Sequence, residues 1–179
     1  MRPWKILKER TVFSAKPWFR VSSQCVRLPD GRRLDDYHQI RFPDYVAIVP
    51  RAEDGRFILL KKYCHGFRIV GLLFPGGAAL AGEPPRRAAA RELLEETGYA
   101  SRRWTRLGSY FQHSNYGCGK VHMFLAEGCR KVQEPDSGDL EEIELRFMSR
   151  SAARRHVAGA DNLSLACVAA FLLAEQRLR

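Results

Sequence analysis

The residues best placed to do chemistry lie in one short run, Arg91-Glu92-Leu93-Leu94-Glu95-Glu96. On a helix advancing about 100° per residue, Glu95 sits roughly 60° to one side of Glu92 and Glu96 roughly 40° to the other, an arc of about 100°. The spacing therefore predicts one acidic face, with Ala90, Leu93, Leu94 and Thr97 on the opposite side packing against a sheet. Clustered carboxylates repel by a few tenths of a kcal/mol per pair on a helix, a cost that a bound cation offsets. Hard oxygen ligands suit Mg²⁺ or Mn²⁺, ions that keep several waters and recruit substrate phosphates. The chemistry that follows is metal-assisted attack of water on a phosphoryl group. The same run also suits a solvated helix face with an Arg91–Glu95 pair, so the surrounding residues must decide.

A helix over 84–97 is predicted to carry the run. Pro84-Pro85 are tolerated in a first turn, Ala88-Ala89-Ala90 propagate well, and Gly98 stands where a glycine ends a helix. Strand patterns flank it at 45–49 and 57–60, joined by Glu53-Asp54-Gly55, and at 104–111, 121–126 and 143–148. Helices are expected at 151–157 and 163–178. Further upstream, 4–12, 18–28 and 34–42 read as strands of a small antiparallel sheet, the last two joined by Pro29-Asp30-Gly31. Such a sheet is marginal alone and must rest on the rest of the chain or on a second copy. The pattern predicts an α/β protein with a mixed sheet covered by helices on both faces.

The 179 residues, 45 % apolar and 28 % charged, suffice for one sizeable core and exclude a disordered tail or a disulfide-stapled miniprotein. The longest apolar run, 165–174, is about half of the roughly 20 residues a membrane span needs, and no apolar stretch follows Met1-Arg2-Pro3-Trp4-Lys5. Five cysteines, scattered singly, suggest neither zinc site nor disulfide framework, and the expectation is a cytoplasmic protein. Only Cys118, between two glycines, has a loop setting that hints at exposure. Thirty Lys plus Arg against twenty Asp plus Glu give a formal charge of +10, a surface that gathers anions. No block of five like charges forms a nucleic-acid arm, and charge alone does not choose between nucleic acid and small phosphorylated molecules.

The wider pattern settles the carboxylate run. Gly77, Glu83, Arg91, Glu92, Glu95, Glu96 and Gly98 complete G-x5-E-x7-R-E-L-x-E-E-x-G, which resembles the box that names the Nudix hydrolases. Seven fixed positions at about 5–7 % each make a chance match on the order of 10⁻⁹ per starting position. Tyr99 stands where the box ends on an aliphatic residue. The resemblance implies a Nudix-type α/β/α sandwich preceded by the small N-terminal sheet, divided as 1–43, an antiparallel subdomain serving dimerisation and base recognition, and 44–179, the hydrolase domain. It implies metal binding by Glu92, Glu95 and Glu96, with the Gly76 carbonyl as a further ligand, Glu83 as a supporting carboxylate and Arg91 orienting the cluster.

Residues outside the box extend the resemblance to the ADP-ribose and nucleoside diphosphate sugar pyrophosphatase branch: Leu28-Pro29-Asp30-Gly31, Lys62-Tyr63, Phe74-Pro75-Gly76-Gly77 and Asp161-Asn162. That branch implies a homodimer acting, with Mg²⁺ or Mn²⁺, on the diphosphate of a nucleoside diphosphate derivative. ADP-ribose is the leading substrate, although Lys62-Tyr63-Cys64 and Leu73-Phe74-Pro75-Gly76-Gly77 depart from the branch pattern. A general base is expected from the acidic loop at 134–142, with Glu141 first and Glu142 second; Glu95 is an alternative, and His113 and His122 are weaker ones. Trp18 and Phe19, beside Arg20, are candidates to stack on a base, and Lys62 and Arg68 to hold the diphosphate. Two other readings stay open: hydrolysis of RNA 5′ ends, caps or dinucleoside polyphosphates, and a non-catalytic nucleotide-sensing module.

Overall fold

The computed structural model describes residues 1–138, 142–159 and 163–178, in two compact units. The first unit comprises Met1–Asp44 and Phe111–Lys120. Its strands β1 (Lys5–Ala15), β2 (Phe19–Arg27) and β3 (Arg33–Arg41) form an antiparallel sheet in that order. The central strand buries Ser22, Gln24, Cys25 and Val26, whereas β1 leaves Ile6, Val12 and Phe13 exposed. The segment 111–120 joins this unit through Phe42 N–H donating to the Gly117 carbonyl and Gln39 donating to that of Asn115.

The second unit, Tyr45–Tyr110 and Val121–Arg179, holds the larger mixed sheet. Its path runs β11 (Ile143–Met148), β5 (Phe57–Cys64), β4 (Tyr45–Ala52), β10 (Lys120–Lys131), β8 (Tyr99–Ala100). Strand β6 (Ile69–Leu73) pairs with β5, β7 (Gly76–Ala78) with β4, and β9 (Arg103–Phe111) with β10. The β4–β10 pair is parallel; β5 pairs antiparallel with β11, β4 and β6.

Both faces of this sheet are apolar because its central strands alternate between two cores. On β4, Val46 and Ile48 face α1 (Pro85–Thr97) together with Ile58, Phe124 and Ala126, meeting Ala88, Ala89 and Leu93. The alternate residues Ala47, Val49, Phe57, Leu59, Met123 and Leu125 join the other core, which takes in Ala153 and Val157 of α2 (Arg150–Gly159) and Ala170, Phe171 and Ala174 of α3 (Leu165–Glu175). Phe171 stacks on Phe74 at 5.6 Å and meets Phe57 edge-on at 5.4 Å. The result is the α/β/α sandwich that the pattern predicts, with the carboxylate helix, among the described residues, alone on one face.

Helix α1 begins and ends where its sequence dictates. Pro84 caps it in extended conformation, and Gly98 closes it at φ 73° while its N–H donates to the Leu94 carbonyl at 2.8 Å. A Cβ at Gly98 would meet the Gln133 carbonyl at 2.2 Å, so the position admits only glycine on two counts. The predicted strand over 121–126 continues to Lys131 through a bulge, where Gly128 at φ 62° lets the register shift between Glu127 and Cys129. Cys25, Cys129 and Cys167 are buried thiols, but Cys64 is half-buried like Cys118, so Cys118 is not alone in its exposure. Among the described residues no helix is long and apolar enough to cross a membrane.

Candidate active site

Arg91 is the hub of the acidic cluster. Its Nη1 donates to Glu92 Oε1 at 2.7 Å and to Glu95 Oε2 at 2.9 Å. Its Nε and Nη2 reach Glu83 at 3.1 and 3.0 Å, and Nη2 also donates to the Ala78 carbonyl at 3.0 Å. A planar guanidinium can serve several fixed acceptors at once, which an ammonium on a flexible stem cannot. These carboxylates, Glu83 foremost, hold the guanidinium well above its ordinary range. Conversely, Arg91 chiefly, with the Leu80 N–H, holds the Glu83 carboxyl below the usual carboxylate range.

Glu92 is seated directly on Gly77. A Cβ on that glycine would fall 2.2–2.4 Å from the Glu92 carboxyl atoms, so the absence of a side chain is what admits the carboxylate there. The register that brings Gly77 to this point is set by β7, which pairs Gly77 with Val46 and Gly76 with Ala47.

Glu96 departs from the single acidic face expected of the helix. It is only 3 % exposed and turns toward the sheet, where Oε2 accepts from the Gly76 N–H at 2.8 Å and Oε1 from Lys62 Nζ at 3.1 Å. Ala90 and Leu94, placed by periodicity among the packing residues, are half-buried, while Ala88 and Ala89 are fully buried. The helix is thus rotated so that the Glu96 flank enters the sheet, and Lys62 and Gly76 supply the polar partners that a buried carboxylate requires. Burial pushes the Glu96 carboxyl up to about 7, with Glu92 adding to the rise and Lys62 and the Gly76 N–H opposing it.

The oxygens of Glu92, Glu95 and Glu96 are a hard donor set, and the seat on Gly77 and the raised Glu96 carboxyl fit a divalent cation as the missing counter-charge. Among the described residues no three such ligands already converge in metal-binding geometry; Arg91 and Lys62 occupy their oxygens instead.

The other predicted site residues lie as follows. Glu141 falls outside the described residues; Glu142 is exposed at the entry to β11, whose first residue Ile143 pairs with Lys62. Arg68 is exposed in the β5–β6 turn at φ 56°. Trp18, Phe19 and Arg20 belong to the N-terminal unit. There Trp18 is exposed, Phe19 packs between Phe13 and Phe42 with centroids 5.7 Å away, and Arg20 lies 4.0 Å from Glu9. His122 is largely buried with Nδ1 2.7 Å from Ser109 Oγ, and His113 lies against Tyr116. Sequence reasoning missed Tyr45, whose hydroxyl would lie 3.2 Å from a Cβ at Gly76. Burial raises that phenol beyond its ordinary range, with Cys167, Glu96 and Glu92 contributing. An aromatic in an apolar strand gives no sign of such a neighbour.

A helix that carries arginine-anchored carboxylates against a mixed sheet defines a phosphoanhydride hydrolase of the Nudix class. The NUDIX domain model matches residues 41–167, and the chain belongs to the Nudix hydrolase family; hydrolases of this family generally use divalent metals. Residues 4–40 match the nucleoside diphosphate sugar hydrolase N-terminal domain. The chain is 28 % identical to an ADP-ribose pyrophosphatase of Bacillus subtilis over 78 % of its own length and 74 % of the relative's. With an ADP-ribose pyrophosphatase of Mycobacterium tuberculosis it shares 32 % identity over 79 % of its own length and 69 % of the relative's. A crystal structure of an ADP compounds hydrolase superposes with TM-score 0.86 at 25 % identity, over 99 % of this chain and 95 % of that one.

Proposed function

We propose that this Nudix hydrolase cleaves the diphosphate of ADP-ribose or a nucleoside diphosphate sugar with Mg²⁺, for which Mn²⁺ can substitute. The observation that carries this reading is the arginine-anchored group Glu83, Glu92 and Glu95, with Glu96 buried beside it. Similarity to two ADP-ribose pyrophosphatases supports the choice of substrate.

Glu92, Glu95 and Glu96 are the metal ligands in this reading, with the Gly76 carbonyl as a further one. When bound, divalent ions neutralise the diphosphate oxygens and lower the pKa of water. Arg91, held in turn by Glu83 and the Ala78 carbonyl, fixes two of the ligands in place. The loop ahead of β11 is the source of the general base, Glu141 first and Glu142 second, because Ile143 pairs with Lys62 and Lys62 contacts Glu96. Glu95, the most exposed of the box carboxylates at 38 %, is the alternative. Water adds across the P–O–P bridge, so ADP-ribose yields AMP and ribose 5-phosphate. The protein acts as a homodimer through its N-terminal sheet, whose exposed Ile6, Val12, Phe13 and Leu34 supply apolar contact area.

The test is a turnover screen with Mg²⁺ and with Mn²⁺ over ADP-ribose, nucleoside diphosphate sugars, dinucleoside polyphosphates and capped RNA. Two phosphomonoesters from ADP-ribose or a nucleoside diphosphate sugar are expected. Turnover confined to capped RNA or to dinucleoside polyphosphates, or no turnover at all, would overturn the reading. Light scattering after size exclusion is expected to give twice the 20.5 kDa chain mass.

A further inference from the structure

Lys62 stands where its strand calls for an apolar residue. Side chains two apart on β5 share a face, and Ile58, fully buried against α1, and Leu60, also fully buried, precede Lys62 in the same alternation. At the third position of this row the chain places an ammonium, 3.1 Å from Glu96 Oε1. The other Glu96 oxygen is taken by the Gly76 N–H. The two cations of the site are not built alike. Arg91 is locked by Glu83, Glu92, Glu95 and the Ala78 carbonyl, and so belongs to the scaffold. Lys62 ends a flexible four-carbon stem and keeps 20 % of its side chain open to solvent, which leaves it room to withdraw.

From this geometry we infer that Lys62 is a tethered counter-cation that holds Glu96 in position in the metal-free protein and competes with the divalent ion for its Oε1. The inference rests on the proposed metal role of Glu96 and adds a positioning residue to it. An ammonium and a divalent cation so close to one carboxylate oxygen repel each other, so metal binding drives the Lys62 head away from Glu96. The lysine thus prevents a buried carboxylate from standing unpaired between turnovers, and it weakens metal binding in doing so.

The experiment is a Mn²⁺ titration of the full chain by electron paramagnetic resonance at mildly alkaline pH, on the wild type, Lys62→Met and Lys62→Arg, with the melting temperature of each metal-free form. Lys62→Met is expected to bind Mn²⁺ roughly tenfold more tightly, the equivalent of one lost charge-assisted bond, and to melt lower when metal-free. Lys62→Arg keeps the charge and adds a fork, and is expected to bind no more tightly than the wild type. A lysine that merely props the site predicts the opposite for Lys62→Met, so unchanged or weaker Mn²⁺ binding by a folded Lys62→Met protein overturns the inference. If Lys62→Met does not fold, Lys62→Arg binding Mn²⁺ more tightly than the wild type overturns it. Failure of the wild type to bind Mn²⁺ would instead sink the metal reading itself and the inference with it, which separates the two.

Discussion

The sandwich carries a largely covered carboxylate on each side of its sheet, Glu175 partly buried and Glu96 buried, and the two are treated differently. On the α2/α3 face, Glu175 is 9 % exposed at the side chain and gripped by two arginines: Arg150 at 2.8 Å on one oxygen and Arg154 on the other. Arg150 also donates to the Leu178 carbonyl at 2.6 Å, so the group ties α2 to the end of α3. On the α1 face, Glu96 is more deeply buried at 4 %, yet it has one ammonium and one backbone N–H, with the like charge of Glu92 nearby. Burial alone therefore does not mark a functional carboxylate. On the proposed reading, what separates a staple from a ligand is the charge balance around it: Glu175 alone faces two guanidinium groups, while Glu83, Glu92, Glu95 and Glu96 share Arg91 and Lys62, a deficit that a divalent ion can fill.

Neutralising each carboxylate is the strongest way to break this contrast. Glu96→Gln is expected to lower kcat about 10³-fold while the melting temperature holds or rises, since the ion ligand proposed above is lost and a buried charge removed. Glu175→Gln should keep kcat within about threefold and melt roughly 3–6 °C lower, an effect tempered by the exposure of Arg150 and Arg154. Turnover assays and calorimetry on both proteins check the pair; a catalytic collapse in Glu175→Gln would erase the distinction.

Next in size is Arg91→Ala, which releases Glu83, Glu92 and Glu95 together. A loss of about 10²-fold in kcat/KM is expected, as for partners that orient metal ligands, and Arg91→Lys should recover little because it lacks the fork. Gly77→Ala is milder. The new methyl displaces only the flexible end of Glu92, so activity should drop about tenfold with little change in melting temperature. The smallest effect is on pH. Burial pushes the Glu96 carboxyl up to about 7, and a cation must displace its proton, so Mn²⁺ affinity should weaken by up to about tenfold per unit as pH falls below 7 and level off above it. Calorimetric titration across pH checks this, and Glu96→Gln should flatten the profile.

Much of this was legible in the residues. Pro84-Pro85 and Gly98 fixed the ends of α1 because their backbone preferences are local, and the continuous apolar runs at 45–49 and 57–60 announced a sheet buried on both faces. The direction of Glu96 was not legible. Helical periodicity ranks positions around an axis, but the rotation of the helix on the sheet is decided by partners such as Lys62, 34 residues earlier. Strand β7 was hidden for a related reason: Gly76-Gly77-Ala78 has no β-propensity, and its pairing is imposed by β4. The one available signal was Lys62 itself, a charge in an inward-facing register.

The most direct measurement is anomalous diffraction at the manganese edge from crystals soaked in Mn²⁺. The expected result is a peak bounded by the carboxylates of Glu92, Glu95 and Glu96, at roughly 2.0–2.3 Å from their oxygens, with the Lys62 ammonium withdrawn from Glu96. A map with no manganese among those oxygens, and the Arg91 and Lys62 pairs intact, would contradict it.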